Sequence, residues 1–295
     1  MKGNFIIITP AKDEANYLGK TIESVLSQTI KPREWIIVDD ASVDETADIA
    51  EMAAQSHSWI KVVRRNDRRF RDVGFGDVEA FNEGFNNIIA DDYEYLFKID
   101  ADIILMPNYF RLILNKFSEK PGLGIAVGEV DELINGKLVR MRSLPFGFNG
   151  MIKCWRRKCF EDIGGIPKGV GWDGLDCFKG MMLGWQTTTF PDEELRVIHL
   201  RPEGSSIKSQ YHGWARRGKA LHFAGADPVW LLASATYHML NRPYVLGGLC
   251  MIIGYLEELL KGSPQYGGQE FRRFLRSWHK KELARILRLK WMPGV

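Results

Sequence analysis

The first hundred residues alternate short β-rich apolar runs with segments whose apolar residues recur at helical spacing. The pattern predicts strands over Asn4–Thr9, Glu34–Val38, Trp59–Val63 and Tyr95–Ile99, and helices over Glu14–Gln28, Asp44–Gln55 and Val78–Ala90. Two parallel strands need a crossover between them, and a helix is the usual one. The alternation therefore predicts an α/β fold with a parallel sheet covered by helices on both faces.

Acidic clusters follow three of these strands. They are Lys12-Asp13-Glu14, Asp39-Asp40 and Asp100-Ala101-Asp102. In open parallel sheets, ligands bind beyond the carboxyl ends of the strands. The three clusters together therefore predict a shared pocket at that edge.

The tripeptide Asp100-Ala101-Asp102 is the only Asp-x-Asp in the chain. Two carboxylates at this spacing can face one divalent cation, and such a cation can hold a diphosphate. The simpler alternative is a pair of solvated loop charges. Its position directly after the fourth predicted strand favours the cation.

Composition places few limits on function. The chain has 295 residues and a net charge of +3, so overall charge gives no case for nucleic acid. Its four cysteines show no paired CxxC spacing and fit reduced thiols of a cytoplasmic protein. The start at Met1-Lys2-Gly3 leads into a strand too short for a secretory core, so the expected location is cytoplasmic, including the inner face of the membrane.

The chain changes character in its second half. Trp155–Ile163 and Asp173–Leu183 are predicted helices, and Gln186–Phe190 is a predicted strand. Val229–Leu240 and Tyr244–Leu260 are strongly apolar, but each is shorter than the ~20 residues that span a bilayer.

Phe271–Leu289 is predicted to be a basic amphipathic helix, within a segment from residue 262 to 295 that carries +6. Two interpretations of this C-terminal third stay open. One is contact with a membrane surface, and the other is packing against the α/β domain or a homodimer partner.

Five motifs together resemble the inverting family 2 glycosyltransferases. The resemblance spans roughly residues 4 to 200 and rests on Ile8–Glu14, Val38–Thr46, the Gly76, Ala80, Asn82 and Gly84 series, Asp100–Asp102, and Trp172–Asp176 followed by Gly184-Trp185. One departure is that Trp172-Asp173 stands where the family has Glu-Asp. The step from Asp173 to Gly184 matches the family's step from its catalytic Asp, which favours Asp173 over Asp176.

The resemblance implies a GT-A fold, a Rossmann-like α/β sandwich, followed by a helical C-terminal extension. It places a catalytic domain at residues 1–200, with a nucleotide-sugar half over about 1–102 and an acceptor half over about 103–200. Residues 201–295 form the extension.

The resemblance also implies roles for single residues. Nucleotide-sugar contacts fall on Pro10, Ala11, Glu14, Asp39, Asp40, Asp100, Ala101 and Asp102. Metal ligands fall on Asp102, Asp100 and His199, and the catalytic base on Asp173, with Asp176 in reserve.

Structural alternatives stay open for several of these residues. Asp44 is favoured as a cap for the helix that follows it. Glu14 would complement a helix dipole, and Asp173 would cap a helix. His199 would be a structural histidine, and Arg201 either closes over a diphosphate or is a solvated base.

The implied activity is metal-dependent transfer of a sugar from a UDP- or GDP-sugar to an acceptor hydroxyl or phosphate, with inversion at the anomeric carbon. A glycan or a lipid-linked molecule is the implied acceptor. A sugar-nucleotide pyrophosphorylase is an alternative, but it needs a Gly-rich, Arg-containing loop after the first strand, where this chain has Thr9-Pro10-Ala11-Lys12. A non-catalytic nucleotide-binding or membrane-anchoring subunit is the other alternative.

Overall fold

The computed structural model describes residues 3–66, 75–141, 145–202, 210–240 and 244–290. The chain separates into two compact units. One comprises Met1–Lys168 with Trp172–Glu203, and the other comprises Gly169–Gly171 with Gly204–Val295. The assignment of separate functions to residues 1–200 and 201–295 stays a prediction.

Two β-sheets form the framework of the first unit. Its strands are β1 (Phe5–Ala11), β2 (Glu34–Asp39), β3 (Ile60–Arg64), β4 (Tyr95–Ile99), β5 (Ile103–Leu105), β6 (Leu123–Gly128), β7 (Val130–Ile134), β8 (Lys137–Arg140), β9 (Ile152–Arg156), β10 (Gln186–Phe190) and β11 (Val197–His199). The larger sheet has the order β10-β6-β9-β4-β1-β2-β3, and the smaller has the order β5-β11-β7-β8.

The centre of the larger sheet is parallel, as predicted. β1 pairs in parallel with both β2 and β4, and Phe5 to Ile8 are completely buried. A strand buried on both faces is apolar at successive positions, which explains the unbroken apolar run in this part of the sequence.

Helices cover both faces of this sheet. Those of the first unit are α1 (Ala15–Leu26), α2 (Thr46–Ser56), α3 (Gly76–Asn86), α4 (Tyr109–Glu119), α5 (Arg157–Ile163) and α6 (Trp172–Met182). Phe5 and Ile7 belong to one core cluster, with residues of α1 and α4, while Ile6 and Ile8 belong to a second, with residues of α3 and α5. The predicted α/β sandwich is therefore confirmed.

One predicted element is wrong in part. Trp155 lies in β9, and the helix predicted from that residue begins at Arg157. β9 runs antiparallel to both of its neighbours, β4 and β6, so the sheet is mixed rather than wholly parallel. A short apolar run next to a helix has no periodicity that would reveal it as a strand.

The described part of the second unit is helical. Its helices are α7 (Gln210–Ala224), α8 (Pro228–Met239), α9 (Val245–Leu260) and α10 (Gln269–Lys290). α7 and α9 cross at glycines: a Cβ on Gly218 would lie 1.9 Å from the Met251 carbonyl oxygen, and a Cβ on Gly254 would lie 2.0 Å from that of Ala215. Among the residues with described structure, no helix is both long and apolar enough to cross a bilayer.

A methyl group added at Gly254 tests this crossing. Gly254→Ala should lower the thermal unfolding midpoint, because overpacking at a backbone contact costs about 1–3 kcal/mol. Gly213 of α7 has open space where its Cβ would be, so Gly213→Ala should instead stabilise the chain by up to about 1 kcal/mol. Circular dichroism melting of both variants gives the comparison, and equal midpoints would contradict the close crossing.

Candidate active site

The turns after β1 and β2 hold each other at one edge of the larger sheet. Ala11 is aligned with Asp39, and its carbonyl oxygen accepts a hydrogen bond of 2.8 Å from the Asp40 amide. The Asp13 amide donates to the Ser42 hydroxyl at 3.0 Å. The predicted nucleotide-contacting backbone of Pro10 and Ala11 therefore lies beside the first acidic pair.

Asp39 and Asp40 have different environments. Asp39 is buried, and its carboxylate accepts a hydrogen bond of 3.2 Å from the Ser42 amide. Asp40 forms an ion pair of 2.6 Å with Arg65, a residue that the sequence analysis did not single out. Asp39 is thus held by a local turn, while Asp40 is tied to the residue after β3.

Asp44 and Glu14 link the first two helices to the site. The Asp44 carboxylate accepts hydrogen bonds from the amides of Thr46, at 3.0 Å, and Ala15, at 3.1 Å, so it serves the starts of both α2 and α1. The buried Glu14 forms an ion pair of 2.6 Å with Arg201. Arg201 therefore reaches the first turn of α1 from the segment after β11.

Asp100-Ala101-Asp102 connects the two sheets, because it lies between the end of β4 and the start of β5. The buried Thr21 of α1 holds this turn through two hydrogen bonds. The Thr21 hydroxyl donates to the Ala101 carbonyl oxygen at 2.7 Å and accepts from the Ile103 amide at 3.1 Å. The backbone of this turn is thus held by a side chain of a helix.

The Asp100 carboxylate is paired with the buried Lys98 of β4. The Lys98 ammonium also lies 3.2 Å from Asp77 and donates to the Gly150 carbonyl oxygen at 2.8 Å. Burial alone would lower the pKa of Lys98, but the charges of Asp100 and Asp77 raise it above its usual value. Lys98 therefore stays charged and links the Asp-x-Asp turn to the segment before β9.

The Asp102 carboxylate is buried between His199 and Arg201. His199 Nε2 lies 3.1 Å from Asp102 Oδ2, and Arg201 Nε lies 2.6 Å from the same oxygen. Burial alone would raise the pKa of Asp102, but the hydrogen bond and charge of His199 and the charge of Arg201 hold it below its usual value. Burial likewise would lower the pKa of His199, but Asp102 raises it.

The carboxylate oxygens of Asp100 and Asp102 fit a hard divalent cation, whereas the imidazole nitrogen of His199 is a donor type more usual for softer transition metals. Asp102 and His199, two of the predicted ligands, lie side by side. Across the described part of the chain, no group of three or more His, Cys, Asp or Glu side chains is gathered as a metal cluster. Arg201 and Lys98 are the cations that the two carboxylates contact instead.

Asp173, the predicted base, lies in the first turn of α6 and is partly buried. A methyl group on Gly150 would lie 3.6 Å from Asp173 Cβ. Because the Gly150 carbonyl oxygen is bound by Lys98, the same short segment contacts both the Asp-x-Asp turn and the predicted base. Asp173 and Asp100 are therefore near one another around Gly150.

Asp176 is completely buried one turn further along α6. The Lys153 ammonium lies 2.9 Å and 3.1 Å from its two oxygens, and Trp155 Nε1 donates to one of them at 2.9 Å. Lys153 also donates to the Asp173 carbonyl oxygen at 2.5 Å. Both oxygens of Asp176 are thus bound to β9, and this pair anchors the turn that carries Asp173.

The model of the glycosyl transferase family 2 matches residues 6–166, which is more than half of the chain. The chain therefore belongs to glycosyl transferase family 2. The predicted family is confirmed, and the prediction of a glycosyltransferase is confirmed at the level of that family.

The curated relatives that this chain matches are named as a polysaccharide synthase and a glycosyltransferase. The chain is 30% identical over 202 residues to a poly-β-1,6-N-acetyl-D-glucosamine synthase of Staphylococcus epidermidis, covering 61% of this chain and 45% of the relative. It is 25% identical over 163 residues to an uncharacterized glycosyltransferase of Haemophilus influenzae, covering 54% of this chain and 57% of the relative. The chain thus spans about half the length of these relatives.

Solved structures share the fold at low identity. A mannosyltransferase from Pyrobaculum calidifontis, in complex with GDP-Man and Mn²⁺, superposes with a TM-score of 0.60 at 17% identity, covering 88% of each chain. Residues 1–349 of S. aureus TarS, in complex with UDP-GlcNAc, give a TM-score of 0.53 at 16% identity, covering 89% of this chain and 74% of that one. These likenesses support the predicted GT-A fold.

Removing the Lys153 charge tests the anchor under α6. Lys153→Met should destabilise the chain by about 3–5 kcal/mol, because it leaves the Asp176 carboxylate buried without its cation. The double variant Lys153→Met/Asp176→Leu should recover part of that loss, since no charge is then buried. Chemical unfolding measures both variants, and wild-type stability in Lys153→Met would exclude the proposed anchor.

Proposed function

We propose that this chain transfers a sugar from a nucleotide-sugar donor to an acceptor hydroxyl or phosphate, in a metal-dependent reaction that inverts the anomeric carbon. The observation that carries the proposal is the arrangement around Gly150. Lys98 binds Asp100 and the Gly150 carbonyl oxygen, and Asp173 packs against the same glycine. The proposed donor-side acid, Asp100, and the proposed base, Asp173, would therefore flank the same glycine.

The donor would lie along the carboxyl ends of β2, β1 and β4. Asp39 and the backbone of Pro10 and Ala11 would contact the nucleoside, because carboxylate and carbonyl oxygens accept hydrogen bonds from base N–H and ribose hydroxyl groups. The turn at Asp100–Asp102 would lie against the ribose and diphosphate. The bound GDP-Man and UDP-GlcNAc in structures of the same fold support a GDP- or UDP-sugar as the donor.

A divalent cation, Mg²⁺ or Mn²⁺, would supply the positive charge that holds the diphosphate and neutralises the departing nucleotide. Asp102 would be its main ligand, with His199 and Asp100 beside it. The partly exposed Arg201 guanidinium would donate hydrogen bonds to phosphate oxygens once it leaves Asp102 and Glu14.

Asp173 would act as the general base. Inversion requires one displacement, in which the acceptor oxygen forms a bond to the anomeric carbon as the bond to the diphosphate oxygen breaks. The acceptor proton passes to the base. Asp173 is partly exposed, whereas both oxygens of Asp176 are engaged in the interior, so the geometry favours Asp173 for this role.

The acceptor is proposed to be a glycan or a lipid-linked molecule. The polysaccharide synthase among the relatives supports a growing glycan, although the relative is about twice as long as the aligned part of this chain. The ring of Trp172 lies 5.3 Å from the ammonium groups of both Lys98 and Lys153, so its indole is held in place beside Asp173. Trp172 is itself buried, so its ring would help to position Asp173 rather than form an open stacking surface for an acceptor sugar.

Replacing the base separates chemistry from donor binding. Asp173→Asn should lower kcat by about 10²–10⁴-fold, the usual contribution of a general base. Donor affinity should be largely unchanged, because Asp173 is on the acceptor side. Release of nucleoside diphosphate gives the rate, and a thermal-shift titration gives the affinity. Asp91→Asn, at an exposed position, is the matched control, and wild-type turnover in Asp173→Asn would refute the assignment.

Metal removal tests the proposed cation. Treatment with EDTA should abolish transfer, and Mn²⁺ or Mg²⁺ should restore it, because the diphosphate leaving group would lose its counter-charge. Asp102→Asn should weaken the stabilisation that donor plus Mn²⁺ produce in a thermal-shift assay, since ligand binding raises stability according to occupancy. Full transfer in EDTA would contradict metal dependence while leaving the family assignment intact.

A further inference from the structure

An exposed apolar surface extends over α8 and α9. Buried residues of α9 include Gly247, Met251, Gly254 and Tyr255, and this side of the helix packs against its neighbours. The other side is exposed and apolar. We call the surface formed by six large side chains the α8–α9 face. Its residues, each 43–64% exposed, are Val229, Leu232, Leu246, Leu249, Ile253 and Leu256.

The sequence of these two helices is nearly free of charge. Between Asp227 and Glu257 it contains a single Lys, Arg, Asp or Glu, namely Arg242, which lies outside the described residues. Water-facing helices normally carry charged residues on their exposed side. A large exposed apolar surface of this kind indicates a site that contacts a partner or a membrane.

In the first half of the basic helix α10, apolar residues are buried or half-buried rather than exposed. Phe271, Leu275 and His279 are buried at intervals of four residues, and the His279 ring stacks on Trp230 of α8 at 4.1 Å. Arg273 and Lys280 are exposed. The apolar surface and the basic surface of the second unit are therefore contributed by different helices.

Charge favours a lipid surface over a second copy of the chain. Residues 204–295 contain fourteen Lys and Arg against five Asp and Glu, which gives a net charge of +9. Two copies joined through this unit would bring like charges together, whereas an anionic leaflet attracts them.

The width of the exposed apolar surface also favours a lipid surface over a second copy of the chain. The exposed apolar residues of α9, from Val245 to Leu260, span about 140° of the helix circumference at 3.6 residues per turn. That arc is wider than the narrow seam through which two helices form a coiled coil. A second helix would leave part of it in water.

We propose that the α8–α9 face inserts into the interface of an anionic membrane leaflet, with the bases of α10 contributing attraction to lipid headgroups. Apolar side chains supply the insertion energy, and the basic residues raise the local concentration at the surface. The helices lie in the interface and do not cross it. The inference does not depend on the proposed transferase chemistry.

Vesicle flotation of the full chain tests this proposal, with phosphatidylcholine vesicles containing about a quarter phosphatidylglycerol. Leu246→Gln/Ile253→Gln keeps the charge and should lower the bound fraction at least about tenfold, because two half-exposed apolar side chains lose their transfer to lipid. Met52→Gln changes an exposed apolar residue of α2, which is 68% exposed, and should bind like wild type. Part of the binding should persist at about 0.5 M NaCl, where surface charge is strongly screened.

A second readout avoids any folding defect in the variant. Cys250 of α9 is partly exposed, whereas the other three cysteines are buried, so a thiol-reactive polarity-sensitive dye should label it selectively in the wild-type chain. Its emission should shift to the blue when vesicles are added. The proposal would be overturned by an unshifted emission, by vesicle binding of the double variant equal to wild type, or by a dimer in solution that the double variant converts to a monomer without vesicle binding.

Discussion

The antiparallel pairing of β4 with β9 is the interaction on which the rest of the site depends. It aligns Lys98 with Lys153, and both side chains are completely buried. A buried ammonium without a counter-charge costs several kcal/mol, so each must be matched by carboxylates. Lys98 is matched by Asp77 and Asp100, and Lys153 by Asp176. Two neighbouring lysines thereby organise acids from three separate parts of the chain.

The consequence is that segments of the first unit that are far apart in sequence meet at one place. Asp100 is at the end of β4, and its amide donates to the Met151 carbonyl oxygen at 2.8 Å, just before β9 begins. Lys153 then holds the first turn of α6 through the Asp173 carbonyl oxygen. A parallel strand in place of β9 would have sent the chain away from this edge, and α6 would lack both of its anchors.

Much of the structure of residues 1–102 is predictable from sequence, because its signals are local. Apolar runs predict β1, β2 and β4, and the acids directly after them predict the edge where a ligand would bind.

The structure of residues 103–200 is harder to predict. Trp155 was assigned to a helix because a five-residue strand that leads straight into a helix has no distinct period. The roles of Lys98 and Lys153 are not predictable from sequence, since a lysine inside an apolar run carries no sign of its distant partner. The Lys153–Asp176 pair required the β9–α6 packing to be known. The catalytic, nucleotide and metal roles of the named residues stay proposals.

The central claim is that Asp39, Asp102 and Asp173 mark one continuous path from nucleotide to acceptor. A crystal structure of the full chain with a GDP- or UDP-sugar and Mn²⁺ tests it most directly. The account predicts the nucleoside beside Asp39, the metal within about 2.0–2.4 Å of an Asp102 oxygen, and the sugar between Asp102 and Asp173. A nucleotide bound elsewhere, or an anomeric carbon turned away from Asp173, would contradict it.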